Sequence, residues 1–98
     1  MLKYINSKEF DDEVLKSKEI VLVDFYADWC GPCRMLSPVL EELAEEHNVY
    51  KVNVDNEEEL AYKYGIMSIP CVIAFKNGKE HKRSIGFVEK DKLLEMLK

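Results

Sequence analysis

The chain has 98 residues, with 14 Lys or Arg against 19 Asp or Glu, and a formal charge of −5 with both histidines neutral, a balance that argues against a nucleic-acid binder driven by phosphate neutralisation. A composition 47% hydrophobic and 34% charged is neither that of a disordered tail nor that of a collagen-like or membrane chain, and the length suits one domain over residues 1–98. The opening residues MLKYINSKEF lack the apolar stretch and small-residue cleavage site of a secretory signal, and the apolar run Ile20 to Val23 falls far short of the roughly 20 residues of a membrane span, so a cytoplasmic protein without membrane association is expected.

Taken in chain order, Leu2 to Ile5 reads as a short edge strand. Ser7 is placed to cap a helix in which Phe10, Val14 and Leu15 recur at helical spacing, ending near Lys18. Ile20 to Ala27 is a near-continuous apolar and β-branched run, the pattern of a central strand covered on both faces. Met35, Leu36, Val39, Leu40, Leu43 and Ala44 then share one helical face, with Glu41, Glu42, Glu45 and Glu46 opposite, predicting a long helix over Pro32 to His47. Pro32 fits its first turn, whereas Pro38 removes an internal hydrogen bond and predicts a kink. Tyr50, Val52 and Val54 alternate as in a strand, Asn56 with Glu59 reads as a capping box opening a short helix to Tyr64, and Gly65 is placed to end it. Strands Cys71 to Lys76 and Lys79 to Ile85 flank Asn77-Gly78, a strong signal for a tight antiparallel hairpin. Leu93, Leu94, Met96 and Leu97 mark a final helix. The order β-α-β-α-β-α-β-β-α predicts an α/β fold with helices on both faces of a mixed sheet.

Three cysteines are too few to staple a small scaffold, which leaves them free for chemistry. Cys30 and Cys33 form a Cys-x-x-Cys pair where the buried strand gives way to the long helix. At a helix mouth the unpaired backbone donors and the dipole favour the Cys30 thiolate, the nucleophilic form. Positions i and i+3 share a helix face, so Cys33 can close on Cys30 as resolving thiol, with Pro32 restraining the turn between them. A structural zinc would want four ligands. Only Cys71, His47 and His81 remain, at unsuitable spacings, so no metal is expected and neither histidine is given a catalytic role.

The segment Val23-Asp24-Phe25-Tyr26-Ala27-Asp28-Trp29-Cys30-Gly31-Pro32-Cys33 resembles the active-site segment of the thioredoxin family nearly residue for residue. The likeness continues through Lys51-Val52-Asn53-Val54-Asp55, Tyr64-Gly65-Ile66, Ser68-Ile69-Pro70, Phe75-Lys76-Asn77-Gly78 and Gly86, essentially the whole chain. It implies the thioredoxin fold, a central mixed sheet of about five strands flanked by about four helices. It also implies reduction of protein disulfides by a monomer carrying no bound cofactor beyond the redox-active Cys30-Cys33 disulfide. The expected partners are disulfide-containing client proteins and a thioredoxin reductase, since the chain has no Gly-rich dinucleotide loop of its own. A disulfide oxidase or isomerase, a binding module using the same surface, and a metal-binding protein are the rival readings.

Asp24 interrupts an apolar strand, and burial there should raise its pKa. The resemblance supports Asp24 as acceptor of the Cys33 proton with Lys51 as its charge partner, against the alternative of a purely structural ion pair. The resemblance further implies a cis Pro70 facing the dithiol and an Ile69 backbone that binds extended substrate, with Trp29, Gly31, Pro32, Ile66 and Gly86 completing an apolar docking rim. Cys71 stands where the family more commonly has threonine: it is either a packing residue in a Thr-sized space or a third thiol close to the dithiol. Tyr26 replaces a frequent tryptophan, and Met35 and Met67 read as packing residues.

Overall fold

The most apolar stretch of the chain becomes the middle of the sheet. A computed structural model describes residues 1–98. The elements are β1 (Leu2–Tyr4), α1 (Ser7–Phe10, continued by a π turn over Asp11–Leu15), β2 (Val21–Tyr26), α2 (Gly31–Leu43), β3 (Val49–Asn53), α3 (Glu58–Lys63), β4 (Cys71–Lys76), β5 (Lys79–Ile85) and α4 (Lys90–Met96). The strands lie in the order β1-β3-β2-β4-β5. β3 runs parallel to both β1 and β2, whereas β4 is antiparallel to β2 and β5.

Because successive strand residues point to opposite faces, β2 feeds two cores at once. Val21, Val23 and Phe25 join Tyr50, Val52, Ile73, Phe75 and Cys71 beneath Phe10 and Val14 of the first helix and Leu60 of α3. Leu22 points the other way and joins Val49, Val72 and Ala74 beneath Leu36, Leu40 and Leu43 of α2 and Leu93 and Met96 of α4. The expected hairpin is present: Asn77 and Gly78 both take positive φ, 53° and 77°, as a two-residue turn of this sequence requires. The helical path of α2 passes through Pro38 and ends at Leu43, short of His47, whose N–H still reaches Leu43 O at 2.9 Å.

Two helix starts differ from the sequence expectation. Asn6, not Ser7, caps α1: its side chain accepts the Glu9 N–H while the Glu9 carboxylate accepts the Asn6 N–H, both at 3.0 Å. Ser7 is instead the first helical residue, and its N–H and hydroxyl donate to Glu57 at 2.8 and 2.7 Å. The Asn56-Glu59 capping box does not form, since the cap position of α3 is Glu57, with no side-chain cap. At the other end the expectation holds. Gly65, at φ 63°, closes α3 with Ile66 N–H on Ala61 O and its own N–H on Tyr62 O. The first helix stops at Leu15, earlier than Lys18, in a π turn closed by Lys16 N–H on Asp11 O at 2.9 Å.

Candidate active site

β2 ends at Tyr26, and a short turn delivers Cys30 to the N-cap of α2 with an extended backbone (φ −88°, ψ 113°). Its sulfur accepts the Cys33 N–H at 3.2 Å, so one of the orphan donors of the helix start is spent on it. Cys30 and Cys33 are joined as a disulfide with Cα atoms 5.2 Å apart, and both are buried. They form a small cluster with Ala27, packed against Tyr26, Val54 and Ile69. The thirteen-residue α2 aims its dipole and this amide at Cys30, an arrangement that stabilises a thiolate there once the bond is reduced.

Facing the disulfide, the Ile69–Pro70 peptide is cis and the Ile69 carbonyl oxygen lies 3.8 Å from Cys30 Sγ. Gly86 N–H donates to Pro70 O at 2.8 Å, tying the end of β5 to this loop; Gly86 has φ 88°, which glycine adopts freely. Ile66 and Ile69 are half-buried and Pro32 is exposed. Trp29 is 69% exposed and its indole N–H donates to Asp55 at 2.9 Å, so the ring is held at one edge with its faces in solvent. Met35 and Met67, expected to pack, stand exposed instead.

Asp24 and Lys51 lie directly across from one another in the β2-β3 register, both side chains on the α2 face. Asp24 is fully buried and Lys51 is 4% exposed. The ammonium sits 3.7 Å from Asp24 Oδ2, an ion pair but too long for a hydrogen bond, and neither carboxylate oxygen has a donor. Burial pushes the Asp24 carboxyl up to about 6 against the opposing pull of the Lys51 charge. Lys51 itself donates to Ser37 Oγ at 3.1 Å and lies over the rings of Tyr26 and Tyr4, 4.5 and 5.5 Å from their centroids. A cavity of about 180 Å³ is lined by Tyr26, Cys33, Arg34, Ser37 and Lys51 among others. Sequence reasoning passed over Ser37 and Tyr4. The signal for Ser37 was its i+4 spacing from Cys33, whereas Tyr4 carried none.

Cys71 is buried in the other core, beside Phe25 and opposite Ile85, and burial pushes its thiol up. No group of three or more His, Cys, Asp or Glu side chains is arranged to hold a metal ion. No helix is long and apolar enough to cross a membrane.

The thioredoxin family profile matches residues 1–98, the full length over which the site and its scaffold extend. The chain belongs to the thioredoxin family. It is 45% identical over 101 aligned residues to a thioredoxin of Rickettsia bellii, covering 99% of this chain and 96% of that one. A thioredoxin of Mycoplasmoides gallisepticum is 44% identical, with 99% and 100% covered. The solved structure of a mutant thioredoxin from Halobacterium salinarum superposes with a TM-score of 0.91 at 39% identity, covering 98% of this chain and 87% of that one. This thioredoxin-family protein is a protein-disulfide oxidoreductase acting as an electron carrier through the Cys30-Cys33 pair. Its redox group is part of the polypeptide and no cofactor is needed, and membership implies disulfide clients and a reductase as its general classes of partner.

Proposed function

We propose that the protein is a monomeric, single-domain reductant of protein disulfides in the cytoplasm, with Cys30 attacking and Cys33 resolving. The Cys33 N–H directed at Cys30 Sγ across the first turn of α2 carries this reading, because it favours negative charge on Cys30. In the reduced protein the Cys30 thiolate attacks one sulfur of a client disulfide. That sulfur bonds to Cys30, and the other leaves as a thiolate that takes up a proton. Cys33 then gives its proton to the Asp24 carboxylate and attacks Cys30 Sγ. The Cys30-Cys33 bond forms, the second client sulfur leaves as a thiolate that takes up a proton, and two electrons have passed to the client. A thioredoxin reductase returns the two electrons to the disulfide. Lys51 is the charge partner of Asp24.

The Ile69 carbonyl beside Cys30 supports strand-like docking of an extended client segment, with Pro70 beneath it and Trp29, Gly31, Pro32, Ile66 and Gly86 as the rim. Burial of Cys71 in the opposite core favours a packing role for it.

Two measurements test the assignment. Cys33→Ser should accumulate a stable mixed disulfide with a client through Cys30, and Cys30→Ser should not; the reverse pattern would exchange their roles. In a thiol-disulfide equilibrium titration with alkylation read at each cysteine, a two-electron step confined to Cys30 and Cys33, more reducing than about −230 mV, is expected of a cytosolic reductant. A more oxidising pair would favour an oxidase or isomerase.

A further inference from the structure

Lys51 is charged, almost fully buried and next to a carboxylate, yet it spends its one short hydrogen bond elsewhere. Its Nζ donates to Ser37 Oγ at 3.1 Å, and its remaining sides meet the faces of Tyr26 and Tyr4. Asp24 Oδ2, at 3.7 Å, receives no hydrogen bond, and nor does Oδ1. An ammonium offers three N–H donors and an ionised carboxylate only acceptors, so unrestrained the two should close to about 2.8 Å. Something holds them apart. Ser37 is the hydrogen-bond acceptor the ammonium has in place of Asp24, and its hydroxyl lies 3.5 Å from the Cys33 carbonyl oxygen, one helical turn earlier.

We infer that Ser37 is a positioning residue for the redox reaction: by holding the Lys51 ammonium back from Asp24, it keeps that buried carboxylate a strong enough base to take the proton of Cys33. The inference rests on the Asp24 role proposed above. The other titratable or charged groups around the pair are Tyr26 on β2, Tyr4 on β1, Cys33 and Arg34 on α2, Asp28 in the turn before α2, and the Cys71 thiol on β4, which feels the Asp24 charge from the opposite face of the sheet. On the remaining side β4 presents only Val72 opposite Asp24. Arg34 is turned outward to the Asp28 carbonyl at 2.9 Å, which leaves Lys51 as the cation that acts on Asp24.

The test is Ser37→Ala, which removes the hydroxyl, introduces a better helix former and is expected to fold. The titration midpoint of Asp24, followed by carboxyl-carbon NMR in the oxidised protein, should fall by about one pH unit as Lys51 closes on it. Ser37→Thr, which restores a hydroxyl, should restore the midpoint. In a Lys51→Met background, Ser37→Ala should leave the midpoint where it is. An unchanged midpoint in the single variant, or an equal fall without Lys51, overturns the inference. The second readout is the pH profile of mixed-disulfide resolution in single turnover, which should move down with the midpoint. If the midpoint moves and the resolution profile does not, Ser37 still positions Lys51, and it is the role of Asp24 as proton acceptor that fails.

Discussion

Asp24 illustrates how one residue can be a cost to the fold and, in the proposed mechanism, an asset to the chemistry. With no hydrogen-bond donor and no exposure, its charged form is disfavoured, and its carboxyl is raised from the ordinary 3.8 to about 6. Folding therefore increases proton affinity at this site, so between these two values the native state binds more protons than the unfolded chain. Stability contributed by the protonated form is fully present below pH 3.8 and is lost as pH rises through about 6. The difference, about two units, corresponds to about 3 kcal/mol. Asp24→Asn lacks this dependence. Relative to the parent it should gain about 3 kcal/mol between pH 3.5 and pH 8 in urea unfolding, while resolution of mixed disulfides slows. A pH-independent difference between the two proteins would show that the carboxyl is not perturbed. Cys71 makes the opposite case. Its burial in the apolar core beside Phe25 favours packing over redox chemistry, and on that reading Cys71→Thr should keep client reduction within about a factor of two of the parent.

Among the elements, turns and caps are where single residues decide most. At Gly78 a Cβ would lie 2.6 Å from the Leu15 carbonyl oxygen, on a backbone with φ 77°. Gly78→Ala should lower stability by about 2 kcal/mol or more, seen as a drop in thermal midpoint, because both the turn and the end of the first helix would have to shift. Gly31, with open space where its Cβ would be, should accept alanine at little or no cost to the same midpoint. The same local chemistry explains what could be read from the chain. Strand β2, the Asn77-Gly78 hairpin, the Gly65 stop and the position of Cys30 at a helix mouth each depend on residues within a few positions of one another. The α1 cap was legible in the same way, since Asn6 and Glu9 carry the capping-box spacing, although the expectation placed the cap at Ser7. The second box failed because α3 starts one residue later than the Asn56-Glu59 spacing supposes, with Glu57 at the cap position and its carboxylate accepting from Ser7, fifty positions away. Within the site, Cys30, Cys33 and Asp24 announced themselves by type and spacing. Tyr4 did not, and the i+4 spacing of Ser37 from Cys33 did not point to Lys51, because their meeting there requires β1 to lie beside β3 and α2 to pack against β3.

At the scale of the molecule, the sheet is a partition with function at one of its ends. Two apolar clusters lie on its opposite faces, and β2, β3 and β4 contribute alternate residues to both. A strand cannot lose its contacts on one face and keep its register on the other, since its hydrogen bonds and its alternation are shared. The radius of gyration, 11.9 Å, is also that of one compact unit, for which about 13 Å is ordinary at this length. The two faces should therefore unfold together. Leu40→Ala removes a fully buried side chain from the α2 face and should cost about 2–5 kcal/mol with an unchanged denaturant slope. The readout that discriminates lies on the far side of the sheet, where Phe75 meets Phe10 and Tyr64 edge to face and Phe10 tilts against Tyr64, a cluster expected to give a near-UV dichroism signal. One cooperative domain requires that signal to shift by the same amount as the far-UV signal, in a coincident transition. A far-face transition that stayed at the parental midpoint would divide the chain into two units. The Cys30-Cys33 site, packed where β2 gives way to α2, would then rest on one half alone.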